Sequence, residues 1–582
     1  MADIQILPEN RFSLAFPYDE DRIAQIKLLA DRRWNPEDKR WELPIGQLGT
    51  VLRLFRLESA DLDKKVLRAW QLHQIRAKKV HLQSGNLTTT LVGDGLPLEK
   101  IDALTSFFVP GYRYMPRFKK GQWDGKKHLF NSRKKTLPTG LVPRVAALLE
   151  QEGIVCQVQS TEVAEQSPLA ETSIAKALES VAKPMSKSAR GKAARKTSSS
   201  VEFRDYQTEC IAAAVAGKRG VLQLATGGGK TLIAAEIIRR IDRPAMFLVH
   251  TRDLLHQTRA VLSDYLGMPI GQAGDGVVSL QHVTVATVQT CARALDVKIT
   301  KTPEDDELLE TDRTDLRRNA ADLVAYIRQV PVVFFDECHH LPADTTYDLS
   351  MQMEGASWRF GLSATPYRAD RMDLLLEAAL GPELFAAAAS ALIDKGYLVP
   401  PKIRFLPMPA LIVRSGKADY QDIFSSYVVE NPRRNQLIAD TARELAAKGN
   451  SVLILVSQVR QGELLQRLLP DVPLVQGADA AERRGEVFAA LGRKELPIAI
   501  ATTLADEGLD VPSLNAVILA SAGRSETRAL QRVGRALRPS PKKKHAVIID
   551  FMDDAPFLKE HAQRRLQIFK SEPAFEVKVI GK

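Results

Sequence analysis

The chain has 582 residues, of which 45% are hydrophobic and 26% are charged, so its composition is that of a folded protein and excludes disorder over most of its length. With a typical domain size of ~150 residues, this length allows about four domains. Its 81 Lys and Arg residues exceed its 70 Asp and Glu residues. Residues 1–200 hold 33 basic and 22 acidic residues, so the whole positive excess lies in the first third.

The sequence shows no sign of membrane insertion or export. No apolar run approaches the ~18–20 residues that span a bilayer, and the first ten residues lack the pattern of a secretory signal. Four cysteines lie too far apart to suggest a zinc site: Cys156, Cys210, Cys291 and Cys338. We therefore expect a cytoplasmic protein with reduced thiols and no membrane partner.

A short basic and aromatic segment comes first along the chain. Residues 32–44, RRWNPEDKRWELP, predict a hairpin that Trp34 and Trp41 pack. We expect its four basic side chains to face outward, namely Arg32, Arg33, Lys39 and Arg40.

A second such segment is more strongly basic. Residues 111–135 contain nine Lys or Arg residues and one acidic residue, interleaved with five aromatic residues. Basic groups neutralise phosphates and aromatic faces stack on bases, so this pattern favours nucleic-acid binding. Most of the aromatic residues are better interpreted as the core of a small β-rich domain. The residues we single out as candidate nucleic-acid contacts are Lys119, Lys120, Trp123, Lys126 and Lys127.

Residues 161–200 predict a flexible basic linker. From Lys183 to Ser200 they contain six basic residues, no acidic residue, and mostly Ala, Ser and Gly. Such a stretch cannot bury enough apolar area to offset its chain entropy. A loose tether that touches nucleic acid and a plain solvated linker are equally compatible with this composition.

Short apolar runs alternate with amphipathic segments in the rest of the chain. The predicted buried strands are residues 220–225, 245–250, 283–288, 332–337 and 360–365, followed by 451–457, 472–477, 498–503, 516–520 and 545–551. Helical periodicity is clear between them, as in residues 230–241. This alternation predicts an α/β fold with two doubly wound parallel sheets, joined near residues 390–400. Residues 301–322 are acidic and predict an inserted loop or solvated helix.

The first strand of this series runs into TGGGKT and then into an amphipathic helix, a context that favours a phosphate-binding loop. Glycine at Gly227, Gly228 and Gly229 lets backbone N–H groups approach phosphates, and the helix N-terminus favours negative charge. We expect Lys230 to reach the β- and γ-phosphates of ATP, Thr231 to ligate Mg²⁺, and Thr226 to line the loop. Leu224 occupies the place of the first glycine in the strict form of the motif.

Two adjacent carboxylates follow the strand VVFF, in the sequence DECHH at residues 336–340. Asp336 is predicted to hold Mg²⁺, and Glu337 to orient and deprotonate the attacking water. Because burying two carboxylates without a cation is costly, a purely structural role is disfavoured.

A helical segment of the second sheet places Gln531, Arg535 and Arg538 on one face, at positions i, i+4 and i+7. Two arginines on one face can be solvated. The first-sheet motifs contain no arginine of their own, so we interpret Arg535 and Arg538 as fingers on the γ-phosphate.

With these motifs in order, residues 201–582 resemble superfamily 2 helicases and translocases, which implies two RecA-like domains that hydrolyse ATP with Mg²⁺. FRDYQ at residues 203–207 resembles the adenine-reading element, which implies nucleotide contacts for Arg204 and Gln207. The segment 363–365 resembles the motif that couples hydrolysis to movement. Residues 501–512 resemble motif V, with Gly508 and Asp510 in nucleotide-contacting positions, and residues 531–538 resemble motif VI.

Two further segments resemble motifs that touch the nucleic-acid backbone in that family. HTRDLLHQ at residues 250–257 implies contacts from Thr251 and Arg252, and ATVQT at residues 286–290 implies one from Thr287.

The basic N-terminal third of the chain makes the resemblance more specific. Residues 110–153 resemble the N-terminal domain of phage UvsW-type recombination helicases, and residues 32–44 are similar to the HARP domain of annealing helicases. The expected domains are a HARP-like α+β domain (1–75), a UvsW-type DNA-binding domain (78–160), the linker (161–200) and the two RecA-like domains (201–395 and 396–582).

This resemblance implies an ATP-dependent DNA helicase or translocase that tracks one strand of forked or branched DNA during recombination and fork repair. Such a protein would act in a bacterial or phage-infected cell, alongside recombination or replication proteins. Motor motifs do not encode the sugar, so an RNA helicase remains an alternative. A nucleic-acid-binding scaffold with little turnover and the motor subunit of a restriction complex are further alternatives. The intact catalytic residues disfavour the scaffold.

Overall fold

The computed structural model describes residues 3–27, 29, 31–55, 57–76, 78–160, 202–297, 313–364, 373–408, 419–502, 514–521, 533–534, 536–540 and 543–581. The chain divides into two compact units. The first comprises Met1–Ala170, Met353–Ser357 and Ala369–Pro382, and the second comprises Glu171–Gln352, Trp358–Arg368 and Glu383–Lys582. The predicted linker lies outside the described residues. Among the helices in the described ranges, none has the length and apolar character that a membrane span requires.

Within its described residues, the N-terminal part of the first unit contains ten strands and six α-helices. The strands are β1 Asp3–Leu7, β2 Arg11–Ala15, β3 Arg33–Asn35, β4 Arg40–Pro44, β5 Lys78–Ser84, β6 Thr88–Val92, β7 Ser106–Phe108, β8 Lys126–His128, β9 Thr136–Pro138 and β10 Ile154–Ser160. The helices are α1 Glu20–Lys27, α2 Leu48–Phe55, α3 Lys64–Arg76, α4 Leu98–Leu104, α5 Pro116–Lys119 and α6 Val142–Gln151.

The first sheet of this unit is antiparallel, in the order β1-β2-β4-β3. Its buried apolar residues, including Phe12, Leu14 and Leu43, form one core with those of α2. The predicted hairpin is present as β3 and β4, with the rings of Trp34 and Trp41 5.0 Å apart. Arg40 alternates along β4 with Trp41 and Leu43, which pack on the core, so it lies on the opposite face of the sheet. There it is partly buried and pairs with Asp3 on β1.

The second sheet has the order β10-β5-β6-β9, and a separate two-stranded sheet pairs β7 with β8, which belongs to the basic segment. Two segments remote in sequence belong to the same unit. The side chain of Arg144 donates to both carboxylate oxygens of Glu377 through Nε and Nη2, the shortest N···O distance being 2.6 Å. A methyl group added at Gly140 would lie 1.9 Å from the carbonyl oxygen of Glu377, so the two backbones are in direct contact.

The second unit contains two large sheets. The strands of the first are β11 Arg219–Leu224, β12 Ala245–Val249, β13 Gly271–Gly274, β14 Val277–Ser279, β15 Val283–Thr287, β16 Val332–Asp336, β17 Trp358–Ser363 and β18 Glu383–Ala387. Those of the second are β19 Pro401–Pro407, β20 Val452–Val456, β21 Leu474–Val475, β22 Ile498–Thr502, β23 Ala516–Leu519, β24 Ala546–Met552 and β25 Glu576–Val579.

The remaining helices follow in chain order. They are α7 Asp205–Gly217, α8 Lys230–Ile241, α9 Arg252–Leu266, α10 Val288–Ala294, α11 Arg313–Gln329, α12 Asp344–Ser350, α13 Asp373–Leu380, α14 Ala389–Asp394, α15 Tyr420–Phe424, α16 Pro432–Ala447, α17 Val459–Leu468, α18 Ala481–Gly492 and α19 Leu558–Ser571. Of these, α13 belongs to the first unit, although it lies between two strands of the second.

Both large sheets are built on parallel pairing, in the orders β14-β13-β15-β12-β16-β17-β11-β18 and β21-β22-β20-β23-β24-β19-β25, with β14 antiparallel at one edge. Central strands such as β12, β20 and β22 are buried along their whole length, which explains their unbroken apolar runs. The tandem parallel sheets predicted from the sequence are therefore confirmed. The predicted join falls between β18 and β19. Within the acidic segment, residues 301–312 lie outside the described residues and the rest belongs to α11.

Candidate active site

A glycine-rich loop connects β11 to α8 at the carboxyl edge of the first large sheet. Gly227 and Gly229 adopt φ values of +87° and +81°, in the left-handed region that favours glycine. Gly229 caps the 12-residue helix α8, whose first residue is Lys230. Unpaired N–H groups and the positive end of a helix dipole meet at this point, so the loop can bind phosphate groups.

The order of the strands brings three sequence motifs together. Strands β16, β17 and β11 are neighbours and run parallel. Asp336 ends β16, Ser363 ends β17, and the glycine-rich loop follows β11. Because carboxyl ends of parallel strands lie at one edge, residues more than 100 positions apart form one site.

The central contact of this site is an ion pair between Lys230 and Glu337. The Nζ atom of Lys230 lies 2.6 Å from Oε1 of Glu337, and both side chains are largely shielded from solvent. Glu337 has a φ of +46°, uncommon for a residue with a side chain, and its N–H donates to Oδ1 of the buried Asp336 at 3.0 Å. The backbone after β16 therefore turns sharply so that both carboxylates face the loop.

Burial and neighbouring charges shift the pKa values of the two carboxyl groups in opposite directions. Burial raises the pKa of Asp336 to about 6, against the opposing charge of Lys230. Burial would also raise the pKa of Glu337, but Lys230 and His339 hold it well below its ordinary value. For Lys230, burial lowers the pKa, and the charges of Glu337 and Asp336 outweigh it and raise it. At neutral pH Glu337 is therefore a carboxylate and Lys230 an ammonium group.

The residues present fit a magnesium nucleotide. Mg²⁺ bound with a nucleotide takes one or two protein oxygens and completes its shell with phosphate and water. The carboxyl group of Asp336 at the strand end and the hydroxyl of Thr231 in the first turn of α8 are the candidate oxygens. A cation beside Asp336 would favour its charged form against the effect of burial. In the described part of the chain, no cluster of three or more His, Cys, Asp or Glu residues forms a metal site by itself.

Gln207, expected to read adenine, is buried against the glycine-rich loop. Its Nε2 donates to the carbonyl of Gly228 at 3.2 Å, and its Oε1 accepts from the N–H of Arg204 at 3.0 Å. The guanidinium of Arg204 lies 4.7 Å from the ring centre of Tyr397, a residue that sequence reasoning missed. The structure thus shows Gln207 supporting the loop, and its contact with adenine stays a prediction.

Arg538 lies against the glycine-rich loop from the second sheet. A methyl group added at Gly227 would lie 3.2 Å from Cγ of Arg538, and one added at Gly534 would lie 2.5 Å from Cβ of Thr226. Burial lowers the pKa of Arg538, although an arginine remains charged at neutral pH. The other predicted nucleotide contacts from the second sheet lie outside the described residues, namely Gln531, Arg535, Gly508 and Asp510.

Two connections were not anticipated from the sequence. His339 lies 3.2 Å from Oγ of Ser363 through Nδ1, and the same atom lies 3.4 Å from Oε2 of Glu337, so the acidic motif contacts the end of β17. Arg484 on α18 contacts both carboxylate oxygens of Asp253 on α9 at 2.5 Å. The sequence signal for the first was the histidine in DECHH, whereas nothing local marks the partner of Asp253.

The residues predicted to contact the nucleic-acid backbone differ in how far they are buried and bonded within the protein. Thr287 is buried and caps α10, where its hydroxyl donates to Oγ1 of Thr290 at 2.8 Å. The hydroxyl of Thr287 is therefore engaged inside the protein, and the contact of Thr287 with nucleic acid stays a prediction. Thr251 caps α9, and Arg252 pairs with Asp275 at 2.5 Å while remaining partly exposed.

In the basic segment, Lys119 and Lys120 are exposed at the end of α5. Lys126 and Lys127 are partly buried on β8, and Nζ of Lys126 lies 5.1 Å from the ring centre of Phe108. The indole N–H of Trp123 donates to the carbonyl of Lys126 at 2.8 Å, so this ring is part of the local fold.

Three family models match the chain. The type III restriction enzyme, res subunit, matches residues 200–368, the helicase conserved C-terminal domain matches residues 435–540, and the N-terminal domain of DNA helicase UvsW matches residues 93–158. These matches cover the glycine-rich loop and acidic motif, the segment that ends near Arg538, and the basic segment respectively.

The chain matches two named relatives over most of their length. The chain is 26% identical over 393 residues to the DNA 3'-5' translocase XPB2 of Sulfurisphaera tokodaii, covering 60% of this chain and 82% of the relative. It is 24% identical over 474 residues to the ATP-dependent DNA helicase uvsW of Enterobacteria phage T4, covering 77% and 86%. The crystal structure of T4 UvsW matches with 19% identity and a TM-score of 0.39, covering 87% of this chain and 99% of that one.

Proposed function

We propose that this superfamily 2 helicase, in which a UvsW-type N-terminal domain precedes two RecA-like motor domains, is an ATP-dependent DNA translocase that acts on branched DNA. Its work would be unwinding, branch migration or strand annealing during recombination and fork repair, in the cytoplasm of a bacterial or phage-infected cell. The observation that carries the proposal is the pair of Lys230 and Glu337 at 2.6 Å beside a glycine-rich loop.

Lys230 and Glu337 can couple nucleotide binding to the strength of the catalytic base. When bound, ATP with Mg²⁺ supplies the phosphoryl group that is hydrolysed. As Lys230 turns toward the phosphates, Glu337 loses the cation that depresses its pKa, and Oε1 becomes a better proton acceptor. Glu337 can then orient the attacking water and take its proton.

Residues of the second sheet complete the site in this proposal. Arg538 already lies against the glycine-rich loop, from where its guanidinium can reach the γ-phosphate. Arg535, three residues earlier in the sequence, is the second predicted finger. The contact of His339 with Ser363 and Glu337 offers a path from the hydrolytic site to the motif expected to drive movement.

The choice of DNA is supported by relatives and by the basic segment. The names of two relatives specify DNA, one as a translocase and one as a helicase. The exposed lysines of residues 111–135 suit a phosphate backbone. A third relative, 24% identical over 365 residues, is a putative ATP-dependent RNA helicase of Acanthamoeba polyphaga mimivirus, which keeps RNA as the competing substrate.

The test is ATP hydrolysis by the full chain, alone and with single-stranded DNA, forked DNA and an RNA fork of matched sequence. We expect forked DNA to stimulate hydrolysis most. Glu337→Gln, which keeps the size of the side chain, serves as the blank because it should bind ATP and hydrolyse it very slowly.

Each outcome decides between the functions. Equal or greater stimulation by RNA would overturn the DNA assignment and leave the motor intact. Normal turnover by Glu337→Gln would show that another group is the base. No hydrolysis by the unaltered chain under any condition would favour the scaffold.

A further inference from the structure

One aromatic residue of the basic segment is not part of its core. Tyr112 packs between Phe108 and Phe118, with ring centres 4.7 and 4.8 Å away, and the Trp123 indole donates its N–H within the segment. Tyr114, two residues from Tyr112, is 81% exposed. The core therefore explains the other aromatic residues and leaves Tyr114 unexplained.

The backbone holds Tyr114 in a defined turn rather than a loose loop. Residues Tyr112–Tyr114 form a short 3-10 helix, and the N–H of Tyr114 donates to the carbonyl of Gly111 at 2.9 Å. The ring of Tyr112 packs directly against the backbone at Gly125, where an added methyl group would lie 2.4 Å from its Cδ2 atom, and this contact holds the turn in place. Pro116 then starts α5 directly after the turn. A ring on such a turn loses little conformational entropy on binding.

Exposed basic residues lie close to Tyr114 in the sequence. They are Arg113 in the turn, Arg117 and Lys119 in α5, and Lys120 directly after α5. The one acidic residue of the segment, Asp124, is engaged by the imidazole of His128 at 3.0 Å and by the N–H of Lys126 at 3.0 Å. An exposed ring among cations matches a ligand with a flat face and flanking negative charges.

We propose that Tyr114 stacks on an unpaired base next to the branch point of DNA, while the exposed basic residues of the turn, of α5 and directly after α5 contact the adjacent phosphates. An unpaired base presents a free π-face, whereas the faces of paired bases are covered inside the duplex. Tyr114 would thereby distinguish a fork from plain duplex. This inference rests on the proposed function, since it takes DNA as the substrate.

The chain contains a matched control residue. Tyr18 is 83% exposed, as Tyr114 is, but the three residues that follow it are acidic: Asp19, Glu20 and Asp21. Their charges repel phosphate, so Tyr18 should not contribute to DNA binding. Both tyrosines are exposed, so replacing either should leave the fold intact.

The experiment uses the full chain and forked DNA that carries 2-aminopurine at the unpaired position beside the branch. We expect the unaltered protein and Tyr114→Phe to quench this fluorescence by stacking. Tyr114→Ala should abolish the quenching and weaken fork binding by about 5-fold or more, with little effect on binding to plain duplex. Tyr18→Ala should behave as the unaltered protein.

Several results would overturn the stacking. They are unchanged quenching by Tyr114→Ala, a loss of the same size in Tyr114→Phe, and an equal loss of binding to plain duplex. In these cases the unaltered chain would still hydrolyse ATP on DNA, so the proposed function would stand. If the unaltered chain shows no DNA-stimulated hydrolysis, the proposed function fails, and the stacking fails with it.

Discussion

The candidate ATP site and the basic segment use charge in opposite ways. In the ATP site, the largely buried side chains of Lys230 and Glu337 form an ion pair, and Asp336 is buried beside them. In the basic segment, aromatic rings fill the interior while Lys119 and Lys120 face solvent. A hydrolytic site requires a few groups at fixed separations, whereas a surface that binds phosphates requires mainly a density of charge. The two regions should therefore respond very differently to the loss of a single cation.

The largest expected effect is the loss of one cation at the ATP site. Lys230→Ala should lower the turnover of ATP by at least about 100-fold, because it removes a charge aimed at the transferred phosphoryl group. Arg538→Ala should lower turnover by about 10³-fold or more if it acts as a finger. Steady-state hydrolysis with saturating forked DNA measures both effects.

An exposed cation beside the second large sheet provides the control for these variants. Lys448, on the surface after α16, pairs with Glu444 one helical turn earlier, so Lys448→Ala should hydrolyse ATP normally. Full turnover in both Arg538→Ala and Arg535→Ala, together with its loss in Lys230→Ala, would remove the arginine fingers from the mechanism.

A smaller, graded effect is expected in the basic segment. Replacing Lys119 and Lys120 with Ala should reduce the slope of log K against log salt concentration by roughly 0.7 to 0.9 for each phosphate that the protein no longer neutralises. ATP turnover without DNA should not change. Fork binding at several salt concentrations measures the slope.

Lys559 and Lys570, both exposed on α19, provide the matched double substitution. If that variant flattens the salt dependence as much as the change at Lys119 and Lys120 does, the DNA surface is not confined to the basic segment.

Much of the motor was predictable because its signals are local. Apolar runs such as β20 and β22 are unbroken because both faces of those strands are buried. The glycine-rich loop was recognisable because a strand, the glycines and a helix follow one another directly. That Lys230 and Glu337 lie together could also be expected, because active sites form at the carboxyl ends of parallel strands.

The features that sequence reasoning missed depend on pairings between distant residues. Nothing local in α13 shows that Glu377 is the partner of Arg144, or that α13 belongs to the N-terminal unit. Thr287 matched a nucleic-acid motif, but its hydroxyl caps the next helix. Side-chain burial of this kind is decided by tertiary packing, which periodicity does not report.

The smallest expected effect concerns an imidazole that anchors the basic segment. His128 contacts Asp102 on α4 at 2.8 Å and Asp124 at 3.0 Å. The hydrogen bond with Asp102 raises the pKa of His128, burial opposes it, and Asp124 adds to it, while Lys126 lies beside the same carboxylate. Both ring nitrogens can donate to carboxylates only when the imidazole is protonated. The contribution of His128 to stability is therefore complete below its unfolded pKa and is lost as pH rises through its raised folded pKa.

This pH dependence can be measured locally by hydrogen exchange in β8. Since the pair is partly exposed, His128→Gln should destabilise β8 by at most about 1 kcal/mol, seen as faster exchange near neutral or lower pH and as little difference at about pH 9. The imidazole of His81 on β5 lies 3.3 Å from the amide nitrogen of Gln159, so His81→Gln, a substitution in a different sheet, should leave exchange in β8 unchanged. An equal effect of His128→Gln at both pH values would mean that the ring stabilises β8 by packing. The contrast with the ATP site would then be sharper, because the contribution of His128 to β8 would not depend on a paired charge.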